Sequence, residues 1–365
     1  MTQTHLQAPP ARTSRPTPPV TPERRTVALF VALSMALVVA SIVAAGSGQL
    51  PVPFVEVVGS VLHRFGIDLG PLPSHPRGEA TLWSIRFPRV GMAILVGASL
   101  AVAGALMQGV FGNPLAEPSV VGVSAGAAVA AAAAIVFGLT FAGAWTVAAC
   151  AFIGGLVTTF VVYALSRADG RTEVVTLVLT GIAVNAVAGA LLALLLFLGD
   201  TQAREQIVFW QLGSLNGSRG AYLLVVAPLA AAGLVAAIAF SRRLDLLALG
   251  DRPARHLGLH VERFRMLTIV AVALLTAAAV SFCGIVAFVG LIVPHLVRMV
   301  TGPGHRVLIP ACMLAGALLL VCADLVARTA VAYADLPLGM LTSLVGGPLF
   351  FWLLRRARRT AGGWA

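Results

Sequence analysis

Ten apolar runs, each close to the length of a membrane-crossing helix, leave this chain few folds to choose from. They lie at about 27–45, 89–109, 119–138, 145–166, 174–198, 221–241, 264–282, 285–300, 307–327 and 337–354. A helix needs ~20 apolar residues to cross the hydrocarbon core, where no water satisfies the backbone, so each run must close its own hydrogen bonds as a helix. Composition agrees, since 59% of the 365 residues are hydrophobic and 11% are charged. One soluble core could not bury that much apolar side chain. The expected fold is an all-α polytopic membrane protein with about ten transmembrane helices. The first run is too long for a signal-peptide core and has no convincing cleavage site, so it counts as a span.

Charge then orients the bundle. All 25 basic side chains are Arg, with no lysine anywhere. Ten crossings return the C-terminus to the side of the N-terminus, and that side collects 18 arginines against 7 on the other. By the positive-inside rule both termini are expected in the cytoplasm. Residues 1–26, rich in Pro, Thr and Arg, read as a disordered cytoplasmic tail, 27–356 as the transmembrane domain, and 357–365 as a second cytoplasmic tail. Spans 2–5 and 7–10 form two four-helix blocks whose starts are five crossings apart, so they run in opposite senses, as inverted repeats do. Ten helices without internal symmetry is the alternative.

The interruptions carry the function. The longest cytoplasmic one, 242–265, holds six arginines. It reads as two short helices, one from Leu244 to Leu249 stopped by Gly250, and one restarted by Asp251 and Pro253 and stopped by Gly258. A folded knob of this kind invites a partner, whereas an ordinary arginine-rich loop would only fix topology. On the other side Phe54, Val57, Val58, Val61, Leu62 and Phe65 recur at helical spacing and predict an amphipathic helix on the outer surface. Gly97, Ala98, Ala101, Gly104 and Ala105 in the second span would let helices approach closely. Asn113, Pro114, Glu117 and Pro118 then break the helix, and the break is expected inside the bundle. Cys150, Cys283, Cys312 and Cys322 all fall in apolar runs without CxxC spacing and are expected to be buried packing residues.

Two rival classes find little support. A secondary transporter places ionisable groups at mid-membrane to couple protons or sodium, but Asp324 lies near a span end and Glu117 at a helix break. A membrane enzyme would need a catalytic or metal cluster, and the seven His lie in tails, loops or span ends without metal spacing. An ATPase site is also excluded, because a phosphate-binding loop needs the lysine of G-x-x-x-x-G-K-[ST].

The motifs resemble those of a known family. Arg86, Pro88, Arg89, Gln108 and Asn113 to Pro118 match an R-x-P-R start, a span with a Gln and an N-P-L-A-x-P turn. FWQLGSL at 209–215, the pattern Gly250, Ala254, Leu257, Gly258, GIVAFVGLIVPHLVR at 284–298, ADLVAR at 323–328 and LPLGMLTSLVGGPLFFWLL at 336–354 follow in order. Together they resemble the iron-chelate and vitamin B12 branch of ABC importer permeases. The resemblance implies a permease that works as two copies with two ATP-binding subunits and an external substrate-binding protein. ATP and magnesium would be used by the partner ATPase, with no cofactor or metal in this chain and no nucleic acid. It implies that 242–265 is the ATPase-coupling loop, with Asp245, Gly250, Arg252, Ala254, Arg255, Leu257 and Gly258 as contact or turn residues. It implies binding-protein docking at Arg86, Arg89 and Arg328, and a translocation path along the fifth span at Thr176, Thr180, Gly181 and Asn185. Intrahelical pairing of Arg328 with Asp324, and hydroxyls bonded to their own helix, are the competing structural roles. The expected cargo is an iron chelate, heme or a ferric siderophore, with cobalamin as the alternative.

Overall fold

The computed structural model of the chain describes residues 22–168, 171–172 and 174–360. In chain order its helices are α1 (Pro22–Gly46), α2 (Phe54–Arg64), α3 (Gly78–Thr81), α4 (Phe87–Phe111), α5 (Val123–Val136), α6 (Thr146–Leu165), α7 (Val174–Leu198), α8 (Thr201–Leu212), α9 (Gly220–Leu247), α10 (Asp251–His256), α11 (Val261–Cys283), α12 (Val289–Thr301), α13 (His305–Thr329) and α14 (Leu338–Thr360). A π turn over Leu82–Arg86 joins α3 to α4. Every apolar run has become a helix. Seven helical stretches are long and apolar enough to cross a membrane, and α5, α12 and the apolar part of α14 are shorter.

In each four-helix block the second helix is the short one, with 14 residues in α5 and 13 in α12. Irregular backbone replaces the missing turns. Ahead of α5, a 3-10 turn at Pro118–Val121 ends on Gly122 at φ 78°. Ahead of α12, Gly284 takes φ 70° and Phe288 takes φ 66°. Such backbone is tolerated at membrane depth only when protein surrounds it. The break after α4 meets that condition in part: Ala116 and Pro118 are buried, while Asn113, Pro114 and Leu115 are exposed.

The bundle is built around α4, most of which is buried. Lipid tails are as apolar as leucine, so helices associate in a membrane through close packing, and small residues decide where. A Cβ added at Gly97 would lie 2.2 Å from the Gly316 carbonyl oxygen of α13, and one at Gly104 would lie 1.8 Å from that of Gly290 in α12. The glycine- and alanine-rich face of the second span is therefore the contact surface that its composition implied.

Three motifs distant in sequence interlock at one end. Ser214 N donates to Cys283 O at 2.7 Å, and Leu338 N donates to Gly213 O at 2.8 Å. A side chain at Gly284 would meet Trp210 O at 2.0 Å, and one at Gly339 would meet Ile285 O at 2.3 Å. Glycine is required at both places because backbone crosses backbone there.

Several expectations need correction. Residues 242–247 are not a separate short helix, because α9 continues unbroken to Leu247. Of the expected N-terminal tail, 1–21 lie outside the described residues, and Pro22 to Thr26 already belong to α1. At the other end α14 runs to Thr360, and 361–365 lie outside the described residues. Cys283 and Cys312 are buried, but Cys150 is half-buried and Cys322 is exposed, lining an apolar groove between α12, α13 and α14. The helix α8 was not anticipated. Its signal was present in Asp200, whose carboxylate accepts from Ala203 N at 2.7 Å as an N-cap.

Candidate coupling end, outer clamp and transport path

The expected coupling residues gather around α10. Gly250 at φ 100° turns the chain out of α9, and Gly258 at φ 86° ends the segment with open space where a side chain would point. Ala254 is fully buried and seats α10 on the bundle, while Arg252, Arg255 and Leu257 face outward. One close ion pair fixes the helix to α11. The guanidinium of Arg265, buried in α11, lies 2.8 Å from Asp251 of α10, and 3.5 Å from Glu262 of its own helix. Arg255 reaches both carboxylates only at 3.9 Å, with its side chain 44% exposed, so it is held weakly and remains accessible.

Asp245 does something the sequence did not disclose. It sits in the last turns of α9 and accepts from the backbone N of His305, the first residue of α13, at 2.8 Å. Its Oδ1 also lies 2.8 Å from His305 Nδ1. Nearby, Gln108 of α4 accepts from Arg298 Nη1 of α12 at 3.0 Å and donates weakly to Leu291 O at 3.3 Å. His305 carried no sequence signal beyond its place at a span start.

At the far end of α4 and α13 Arg86, Arg89 and Arg328, the three candidate docking residues, converge. Arg86 donates to Ala45 O at 2.8 Å, to Gly46 O at 3.1 Å and to Leu50 O. Arg89 Nε donates to Asp324 at 2.9 Å, and its Nη1 reaches Asp335 at 2.8 Å. Arg328 donates to Ala44 O and lies 3.7 Å from Asp324. Arg86 is 4% exposed, Arg89 8% and Asp324 1%. In the single chain all three guanidinium groups are committed to internal partners and clamp α1, α4 and α13 together. Asp335 was not expected, and it meets Arg89 only because the loop after α13 folds back, with Leu336 N on Ala327 O at 2.8 Å.

The candidate path residues lie on α7, much of whose surface is exposed. Gly181 packs on the turn before α5, where a Cβ would be 1.8 Å from Val120 O. Asn185 donates to Ser119 O at 3.3 Å from the same face. Thr176 and Thr180 are half-buried. The structure therefore ties two of the four to the irregular turn that precedes α5. No group of three or more His, Cys, Asp or Glu able to hold a metal ion occurs among the described residues.

Comparison with known proteins fits this geometry. Residues 29–356 match the FecCD transport family. The chain is 40% identical over 309 residues to the cobalamin import system permease protein BtuC of Halobacterium salinarum, covering 85% of this chain and 80% of that one. It is 41% identical over 286 residues to the hemin transport system permease protein HmuU of Yersinia pestis, covering 77% and 85%. A solved structure described as an inward-facing conformation of a metal-chelate type ABC transporter superposes with a TM-score of 0.79 at 31% identity, covering 90% of this chain and 99% of that one.

Proposed function

The chain belongs to the FecCD transport family and is a multi-pass ABC importer permease, and from that premise we propose that it imports an iron chelate, heme before a ferric siderophore. The stretches 209–215 and 331–348 resemble heme and siderophore members of the family in our reading, and they meet where Leu338 N bonds Gly213 O. The relative named for hemin transport is similar over 77% of this chain. Cobalamin is the second reading, favoured by relatives named for cobalamin or vitamin B12 import.

In this reading two permease copies assemble with two ATP-binding subunits, which use ATP and magnesium, and an external binding protein delivers the chelate. The arginine asymmetry supports a cytoplasmic position for both termini and for α10 in a cell membrane. Exposed Arg252, Arg255 and Leu257 would meet the ATPase. Docking would occur at the clamped end, with Arg86, Arg89 and Arg328 shaping the rim and contributing positive potential from their buried positions. Thr176, Thr180, Gly181 and Asn185 would border the path. A weakly polar path suits a bulky chelate that must also leave it. The test is ATP-dependent uptake into proteoliposomes holding the full complex. Hemin uptake without cobalamin uptake is expected, and cobalamin uptake without hemin or ferric siderophore uptake would replace the proposal with the second reading.

A further inference from the structure

We propose that Asp245, His305 and Gly109 form a joint that makes α10, α9, α13 and α4 move as one body, so that displacement of the coupling segment is delivered undiminished to the centre of the bundle. The proposal rests on the assignment of α10 to ATPase contact. Three observations carry it. Asp245, just before the turn into α10, holds both the backbone N and the ring of His305 through a single carboxylate oxygen. A carboxylate at a helix N-terminus is favoured by the helix dipole and by the unsatisfied N–H groups there, so the contact grips α13 at its strongest point.

His305 is itself buried, and its Nε2 has no hydrogen-bond partner. A buried polar atom left unpaired is unfavourable, and a protein seldom keeps one without a use for it. With Nδ1 facing the carboxylate, the neutral ring donates from Nδ1 and presents a bare Nε2 to α4. That nitrogen faces Gly109, where a Cβ would lie 2.7 Å from Nε2 and 3.1 Å from Leu244 Cδ2. Only glycine admits the ring and the end of α9 together. One residue earlier, Gln108 bonds Arg298 of α12. A single turn of the central helix thus touches α9, α12 and α13 beside the coupling segment. The charged groups facing His305 are Asp245 and, from α12, Arg298.

Nitroxide labels at His256→Cys on α10 and Val326→Cys at the far end of α13, both exposed positions, would test this in the full complex with Cys150 and Cys322 replaced by Ala. With the joint intact, the interspin distance should be the same in nucleotide-free and ATP-bound, hydrolysis-blocked complexes. In His305→Ala it should shift by several ångströms or broaden on ATP binding, and His305→Asn, whose amide can donate in place of Nδ1, should restore the intact behaviour. Should His305→Ala fail to assemble, Asp245→Ala removes the accepting oxygen from the other side of the joint and should show the same ATP-dependent shift. An intact complex whose distance changes with ATP, or a variant indistinguishable from it, would overturn the joint. Co-purification of the ATPase with a Leu257→Glu, Arg255→Glu variant is a separate readout: undiminished association would sink the assignment of α10, whatever the labels show.

Discussion

The two ends of the α4–α13 pair carry similar chemistry in opposite states. At the clamped end Arg86, Arg89 and Asp324 are buried and satisfied within the chain. At the α10 end Arg252 and Arg255 stand exposed, and Arg255 reaches Asp251 and Glu262 only at 3.9 Å. Buried charges that satisfy one another hold a fold and leave little for a partner. Exposed charges contribute little to the fold and remain free to bind. Arginine count alone does not separate the two, whereas burial does.

The largest expected effect comes from breaking the clamp. Asp324→Ala strips Arg89 of a buried carboxylate and should destabilise the protein by about 3–5 kcal/mol, read as loss of monodisperse protein in detergent or a marked fall in Tm. Arg86→Glu with Arg89→Glu should do the same before any docking defect can be seen. A double variant that stays folded yet fails to bind the external binding protein would move these arginines back to the docking role. Next, Gly104→Val forces α4 away from Gly290 and should cost about 1–3 kcal/mol or more through overpacking, measured by thermal unfolding. Wild-type stability there would show that the α4–α12 contact can relax.

At the α10 end the effects should fall on activity. Gly258→Val places a β-branched residue at φ 86°, a conformation unfavourable by ~1–2 kcal/mol, yet the open space around it should leave the bundle folded. Uptake by the assembled complex is expected to fall ~10-fold, equivalent to about 1.4 kcal/mol, with Tm almost unchanged. Assembly and transport at the wild-type level would remove the turn from the coupling mechanism. The smallest effect is Arg255→Ala, below ~1 kcal/mol on stability. It should instead weaken ATPase association most at low salt, in a titration of affinity against ionic strength.

Hydropathy made the ten apolar helices legible, and small-residue spacing made the α4 contacts legible, because both properties act locally along the chain. The pairings were not legible. Arg89 and Asp335 lie 246 residues apart, and Asp245 and His305 lie 60 apart; neither pair has a periodic signature. The start of the expected coupling segment differs from the sequence reading for a related reason. Ser241, Arg242, Arg243 and Asp245 look like a loop in composition, yet α9 passes straight through them, since arginine and leucine are good helix formers and polarity alone does not stop a helix. Gly250 was correctly identified as a stop, but of the long helix and not of a short one.

That unbroken α9 has a mechanical consequence. Its 28 residues measure about 42 Å at 1.5 Å each, against a hydrocarbon core of ~30 Å. Its polar residues Arg242, Arg243 and Asp245 fall in the last turns, at the α10 end, so in the proposed reading the surplus would extend there and the helix would serve as a mast that lifts α10 toward the headgroups. A water-borne subunit approaching that face would then meet folded polypeptide before lipid. It could push on the mast without first displacing bilayer.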